Sequence, residues 1–172
     1  MTETDRRIMF SVHRGLPREG PGSFAGTSEA LALIDDLPPA PQVLDIGCGP
    51  GMQTVDLAKL LPAARIQAID AHAPFLEDGT RRAEAAGCAG RIEFKVGDMR
   101  ALDCEAGSFD LLWCEGAAYF MGIHEALTAW RPLLKRGGCV GFTEAVWLTE
   151  NPPQTLADWW LTEYPAMGDI QN

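Results

Sequence analysis

Val43-Leu-Asp-Ile-Gly-Cys-Gly-Pro-Gly51 runs a short apolar segment straight into a glycine-rich turn. The apolar part predicts a buried strand, Val43 to Ile46. The glycines let the backbone turn tightly and let a ligand approach the main chain. Met52 to Leu61 then predicts a helix, stopped by Pro62. The glycine spacing is G-x-G-x-G. A dinucleotide site wants G-x-G-x-x-G, and Met52 stands where its third glycine would be. No Walker lysine follows, which excludes a P-loop. A plain structural strand-to-helix turn remains the alternative to a ligand-binding loop.

The same alternation continues on the C-terminal side. Arg65 to Ile69 predicts a strand ending at Asp70. Pro74 to Ala86 predicts a helix, with proline in its first turn and Gly87 just beyond its end. Arg91 to Val96 predicts a third strand, followed by Gly97-Asp98-Met99. Phe109 to Cys114 predicts a fourth, ending at Glu115. Ile123, Ala126, Leu127, Trp130, Leu133 and Leu134 lie at helical spacing, and Gly137-Gly138 breaks that helix. Cys139 to Val146 predicts a fifth strand, and Gln154 to Tyr164 a short aromatic helix. On the N-terminal side, residues 1–14 are weakly helical and Arg18-Glu-Gly-Pro-Gly-Ser23 is a loop. Thr27 or Ser28 caps a helix carrying Ala30, Leu33, Ile34 and Leu37, ended by Pro38-Pro39.

Near-continuous apolar strands separated by helices predict an α/β domain. Its sheet is doubly wound and mostly parallel, with about five strands and helices on both faces. Right-handed crossovers bring every strand's carboxyl end to one edge, where ligands bind in open α/β sheets. Asp45 with the glycine loop, Asp70, Asp98 and Glu115 therefore converge. Asp70 lies 21 residues after Gly49, where a carboxylate can accept from both hydroxyls of a ribose. Asp98 would accept from an adenine amino group, with Met99 against the ring. A solvated turn is the alternative for either aspartate.

A chain of 172 residues has room for one domain. It is 47% hydrophobic and 22% charged, an ordinary globular balance. No window reaches the roughly 18–20 apolar residues of a membrane span, and Met1 to Arg7 has no signal-peptide apolar region. A net charge of −10 argues against nonspecific nucleic-acid binding. The cysteines, Cys48, Cys88, Cys104, Cys114 and Cys139, are odd in number and none is paired as C-x-x-C. That predicts free thiols in a reducing, cytoplasmic setting. His13, His72 and His124 are far apart, so no metal site is expected.

The glycine stretch, Asp70, Gly97-Asp98-Met99 and Phe109-Asp-Leu-Leu-Trp113 together resemble the class I S-adenosylmethionine-dependent methyltransferases. The match runs from about residue 40 to 146. Glu19-Gly-Pro-Gly-Ser23, Trp113-Cys-Glu-Gly-Ala117 and Glu144-Ala-Val-Trp147 further resemble a group of bacterial small-molecule methyltransferases. The resemblance implies a Rossmann-like core over residues 42–146, a lid segment over 1–38 and an aromatic segment over 147–172, all one domain. It implies S-adenosylmethionine as cofactor. Gly47, Gly49 and Gly51, with Asp45 and Cys48 in the same loop, would pass its methionine moiety. Asp70 and Ala71 would hold the ribose, Asp98 and Met99 the adenine, and Glu115 and Gly116 would line the end of the fourth strand. The Glu19 to Ser23 loop would close over the methionine end, with Arg18 a partner for its carboxylate.

The implied reaction is methyl transfer to a small molecule. A cofactor-binding module without catalysis, or a nicotinamide oxidoreductase, are the alternatives. Glu115, Tyr119, His124 and Glu144 are the base candidates by position, and spacing selects none of them. Trp147, Trp159, Trp160 and Tyr164 form an aromatic group that either walls an acceptor pocket or packs on the core. The family normally continues with a helix and a hairpin of strands six and seven, so the chain reads as shortened. Its fifth strand is then an apolar edge, and a second copy is expected to pair there or to exchange the C-terminal segment.

Overall fold

The computed structural model describes residue 8, residues 11–13 and residues 15–169. The helical reading of residues 1–14 falls almost wholly outside them. In chain order the helices and strands are α1 (Phe24–Leu31), β1 (Gln42–Ile46), α2 (Met52–Leu60), β2 (Arg65–Asp70) and α3 (Ala73–Ala85). There follow β3 (Ile92–Val96), β4 (Phe109–Glu115), α4 (Ile123–Trp130), β5 (Leu134–Thr143) and α5 (Gln154–Glu163). The five strands form one sheet in the order β3-β2-β1-β4-β5. Every neighbouring pair is parallel, with Val43 opposite Ile66 on one side and Leu111 on the other.

Both faces of the sheet are covered at its central strands β1 and β4, which is why these two read as nearly unbroken apolar runs. Side chains alternate along β1. Val43 faces a layer with Val55, Leu57, Ala58 and Ala83 from α2 and α3. Leu44 and Ile46 face the opposite layer, with Ala126 and Trp130 from α4 and Leu133 beyond it. Each such fully buried aliphatic side chain stabilises the fold by about 1.5–3 kcal/mol. No helix among the described residues is long and apolar enough to cross a membrane.

Two elements depart from the sequence reading. The first helix begins at Phe24, because Ser23 accepts the Gly26 N–H at 3.1 Å and caps it. Thr27 is inside the helix and buried. The helix ends at Leu31, short of Leu37. Asp35 and Asp36 would load negative charge onto its negative end, and Pro38 disfavours helical geometry at the residue before it. The second departure follows Trp130, where Pro132 lacks an N–H and ends α4. Leu134 already pairs with Phe109, and β5 runs to Thr143 rather than Val146. A register shift between Phe109 and Leu111 absorbs the residues up to Cys139. Leu133 and Leu134 do pack on the α4 layer, which explains their fit to helical spacing.

Candidate functional site

From β1 the chain winds outward through β2 to β3, then returns to β4 on the other side of β1. The crevice at such a reversal is where open α/β sheets bind ligands. A cavity of about 590 Å³ lies there, within the roughly 300–1,000 Å³ of small-molecule sites. Gly47 lines it, with φ +70°. A Cβ on Gly47 would fall 2.5 Å from Ala117 Cβ, so only glycine lets the loop after β1 meet the loop after β4. The Gly47 and Cys48 N–H groups donate to the Ile69 carbonyl at 2.8 and 3.0 Å. Gln53 Nε2 donates to the Cys48 carbonyl at 2.8 Å. The turn is thus held from β2 and from α2.

Asp70 ends β2 and is aimed by two backbone donors. Gly49 N–H reaches its Oδ2 and His72 N–H its Oδ1, each at 2.8 Å. A carboxylate has about four acceptor positions, so two remain for a ligand. Glu19 lies over the same loop, its Cγ 3.3 Å from where a Cβ on Gly49 would stand. Its Oε2 is 2.5 Å from His13 Nδ1, and its Oε1 is buried with no partner. Burial raises the Glu19 carboxyl above the ordinary range. His13 opposes that rise and the Asp70 charge adds to it.

Across the cavity, Asp98 Oδ1 accepts the Arg100 N–H at 2.9 Å. The Met99 carbonyl accepts Trp130 Nε1 at 3.0 Å, which fixes Met99 from the buried end of α4 at Trp130. Tyr119 and Phe120 form the outer wall, ring centroids 4.1 Å apart. Tyr164, from beyond α5, sets its ring 5.9 Å from that of Tyr119. Burial raises both phenols, and the Glu144 carboxylate adds to each rise.

Beneath the Gly-Pro-Gly loop lies a buried charge network. Arg18 donates to Glu115 Oε2 at 2.5 Å and to Asp56 Oδ2 at 2.6 Å. Glu115 Oε1 is 2.8 Å from Thr27 Oγ1 and accepts Trp113 Nε1 at 2.9 Å. One guanidinium therefore stands against two carboxylates. Arg18 is already matched, which removes the basis for pairing it with a ligand carboxylate. Glu115 is matched on both oxygens and is not a free base.

Nine of the eleven residues assigned from sequence line the cavity: Gly47, Cys48, Gly49, Asp70, Ala71, Asp98, Met99, Glu115 and Gly116. Asp45 and Gly51 do not. Asp45 is wholly buried below the loop, where its Oδ2 accepts the Thr54 hydroxyl at 2.5 Å. Burial drives its carboxyl up to about 7. Gly51, φ +80°, caps α2, and a Cβ there would meet Gly79 Cα at 2.8 Å. Its role is close packing of α2 on α3. Cys48 is buried and its thiol is raised well above the usual value by burial, so it offers no nucleophile. His124 and Trp159 are exposed and Trp160 is half-buried, and none of the three lines the cavity. Sequence reading missed His13, Gln53, Phe75 and Arg100 in the lining, and Asp56 and Thr27 in the network. Gln53 carried a signal, being the first turn of the helix after the glycines. Thr27 and Asp56 carried none, since their partners are 88 residues away for Thr27 and 38 for Asp56.

The methyltransferase domain family model matches residues 43–138. A trans-aconitate 2-methyltransferase of Deinococcus radiodurans is 36% identical over 106 residues, 61% of this chain and 37% of that protein. A ubiquinone/menaquinone biosynthesis C-methyltransferase of Cereibacter sphaeroides is 30% identical over 147 residues, 81% of this chain and 57% of that one. The crystal structure of an S-adenosylmethionine-dependent methyltransferase from Thiobacillus denitrificans, in complex with S-adenosyl-L-homocysteine, superposes with a TM-score of 0.72. It is 25% identical, covering 99% of this chain and 67% of that one. The chain thus spans well under two thirds of the length of these two curated relatives.

Proposed function

The chain belongs to the methyltransferase domain family, and from that premise we propose that it transfers a methyl group from S-adenosylmethionine to a small-molecule acceptor. The observation that carries the reading is Asp70 beside the glycine loop. It is a strand-end carboxylate held by two N–H donors, with acceptor positions left for a ribose. Met99, fixed by Trp130, offers an apolar surface for an adenine across the cavity. The bound cofactor supplies an electrophilic methyl on a sulfonium. What the chain's own residues add is in-line placement and exclusion of water. The Glu19 to Ser23 loop covers the glycine end, and Tyr119 and Phe120 wall the side left for an acceptor. With Glu115 held by Arg18 and Thr27, no general base is assigned.

Calorimetry with S-adenosylhomocysteine and with NAD tests the cofactor. Saturable binding of the first and none of the second is expected; the reverse overturns the reading. Transfer of labelled methyl to a small-molecule panel tests the activity. Cofactor binding with no turnover on a broad panel would favour a binding module instead. The same reading has a second copy cover β5, the sheet edge where Phe142 is exposed. A monomer by light scattering at high concentration overturns that part. Five free thiols support a reducing, cytoplasmic compartment.

A further inference from the structure

We propose that the methyl acceptor is a cationic small molecule, an amine on an aromatic or apolar body, held against the rings of Tyr119 and Phe120. This deepens the methyl-transfer reading above and rests on it, since the cofactor takes the rest of the cavity.

The side of the cavity left for an acceptor is aromatic. Tyr119 and Phe120 line it and stay 42% and 57% exposed, so a ligand can reach their rings. The face of such a ring carries negative potential and attracts a cation within about 6 Å of its centre. Behind them Tyr164 sets its ring T-shaped to that of Tyr119, and Glu144 follows the end of β5. Glu144 Oε1 accepts the Ala145 N–H at 2.9 Å, and Oε2 is sealed from solvent with no hydrogen-bond partner. Among the described residues no lysine, arginine or histidine pairs with it. This carboxylate does not touch a ligand. Its charge acts through space, as it does on the phenols of Tyr119 and Tyr164, both of which it pushes up.

The positive groups of the lining are already engaged. Arg18 stands between Asp56 and Glu115. Arg100 donates to the Phe120 carbonyl at 3.1 Å and lies 3.6 Å from Asp98. His13 sits against Glu19, and the His72 ring is 4.6 Å from that of Phe75. Against the two guanidinium groups the lining sets four carboxylates, on Glu19, Asp70, Asp98 and Glu115. The sulfonium of a bound cofactor offsets only part of that surplus. An acceptor carboxylate beside Tyr119 would meet repulsion with no spare cation among the described residues to offset it. An ammonium there meets ring faces in a negative field, with a carboxylate behind them.

The test is calorimetry on the chain saturated with S-adenosylhomocysteine, titrated with phenethylamine, 2-phenylethanol and phenylacetate. The three share a phenyl ring on a short carbon chain. At neutral pH they are a cation, a neutral molecule and an anion. Phenethylamine should bind tightest, by about 10-fold or more over phenylacetate, with 2-phenylethanol between them. In Tyr119→Leu the advantage of the amine over the alcohol should shrink by about 3- to 10-fold, as one ring face is lost while apolar contact remains. In Glu144→Gln it should shrink by about 2- to 5-fold through loss of the charge alone. Saturation of each variant by S-adenosylhomocysteine reports that it is folded. Phenylacetate or 2-phenylethanol binding as tightly as phenethylamine overturns the proposal. So does an amine preference that survives unchanged in both variants, because the cation is then held elsewhere. If S-adenosylhomocysteine binds and none of the three probes does, this proposal falls and the cofactor reading stands. If S-adenosylhomocysteine itself does not bind the wild type, the cofactor reading falls and this proposal with it.

Discussion

Asp45 offers the sharpest quantitative check on the site's architecture. Its side chain is wholly buried, and its single polar contact is the Thr54 hydroxyl. Burial outweighs that bond, and the nearby Glu115 and Asp70 charges add to the effect, so the folded carboxyl titrates at about 7 against 3.8 unfolded. Below 3.8 both states hold the proton and stability is independent of this group. Between 3.8 and about 7 only the folded state holds it, so stability falls as pH rises. Above about 7 neither state holds it and the loss is complete. The gap, at about 1.36 kcal/mol per pH unit, amounts to about 4 kcal/mol. That is a large share of the roughly 5–15 kcal/mol available to a domain. The measurement is urea unfolding between about pH 5.5 and 7.5, above the isoelectric point of 4.6 where solubility is lowest. Over that window the wild type should lose about 2 kcal/mol to this group, or about 1 M in urea midpoint. Asp45→Asn keeps an acceptor for Thr54 and has no proton to lose, so its curve should be flatter by that amount. Parallel pH slopes for the two proteins would refute the buried-carboxyl account.

Three further substitutions separate site from scaffold. Gly51→Ala places a Cβ against Gly79 at a φ of +80°. It should cost about 2–4 kcal/mol in urea unfolding, with S-adenosylhomocysteine affinity of the folded protein unchanged. Arg18→Met strands Asp56 and Glu115 in a buried setting and should cost about 3–5 kcal/mol by the same measurement. Adding Asp56→Asn and Glu115→Gln should restore most of that. Asp70→Ala frees two N–H groups and removes the carboxylate from the cavity. Its affinity for S-adenosylhomocysteine should drop by about 10- to 100-fold, and an unchanged affinity would refute the site assignment.

What sequence by itself determined is the framework and most of the rim. Hydrophobic runs such as Val43 to Ile46 and Phe109 to Cys114 are local signals, because a strand buried on both faces must be apolar throughout. Parallel order then brings their carboxyl ends to one edge, with the glycine loop, Asp70, Asp98 and Glu115, while Ala71 and Gly116 came from the family resemblance. The misreadings arose where spacing was ambiguous. Leu133 and Leu134 face the same layer as α4 and so matched its period, although Pro132 had already ended the helix. Only the tertiary structure decided which strand-end groups face the cavity. Asp45 and Asp70 look alike in sequence, yet one is sealed beneath Thr54 and the other stands open at the cavity. Arg18 looked like a free cation until Asp56 and Glu115, 38 and 97 residues away, were seen to hold it. Electrostatic pairing acts through space over a few ångströms and leaves no periodicity along the chain. The acids that line this cavity are therefore readable one by one, but their partners, and hence their charges and roles, belong to the folded protein.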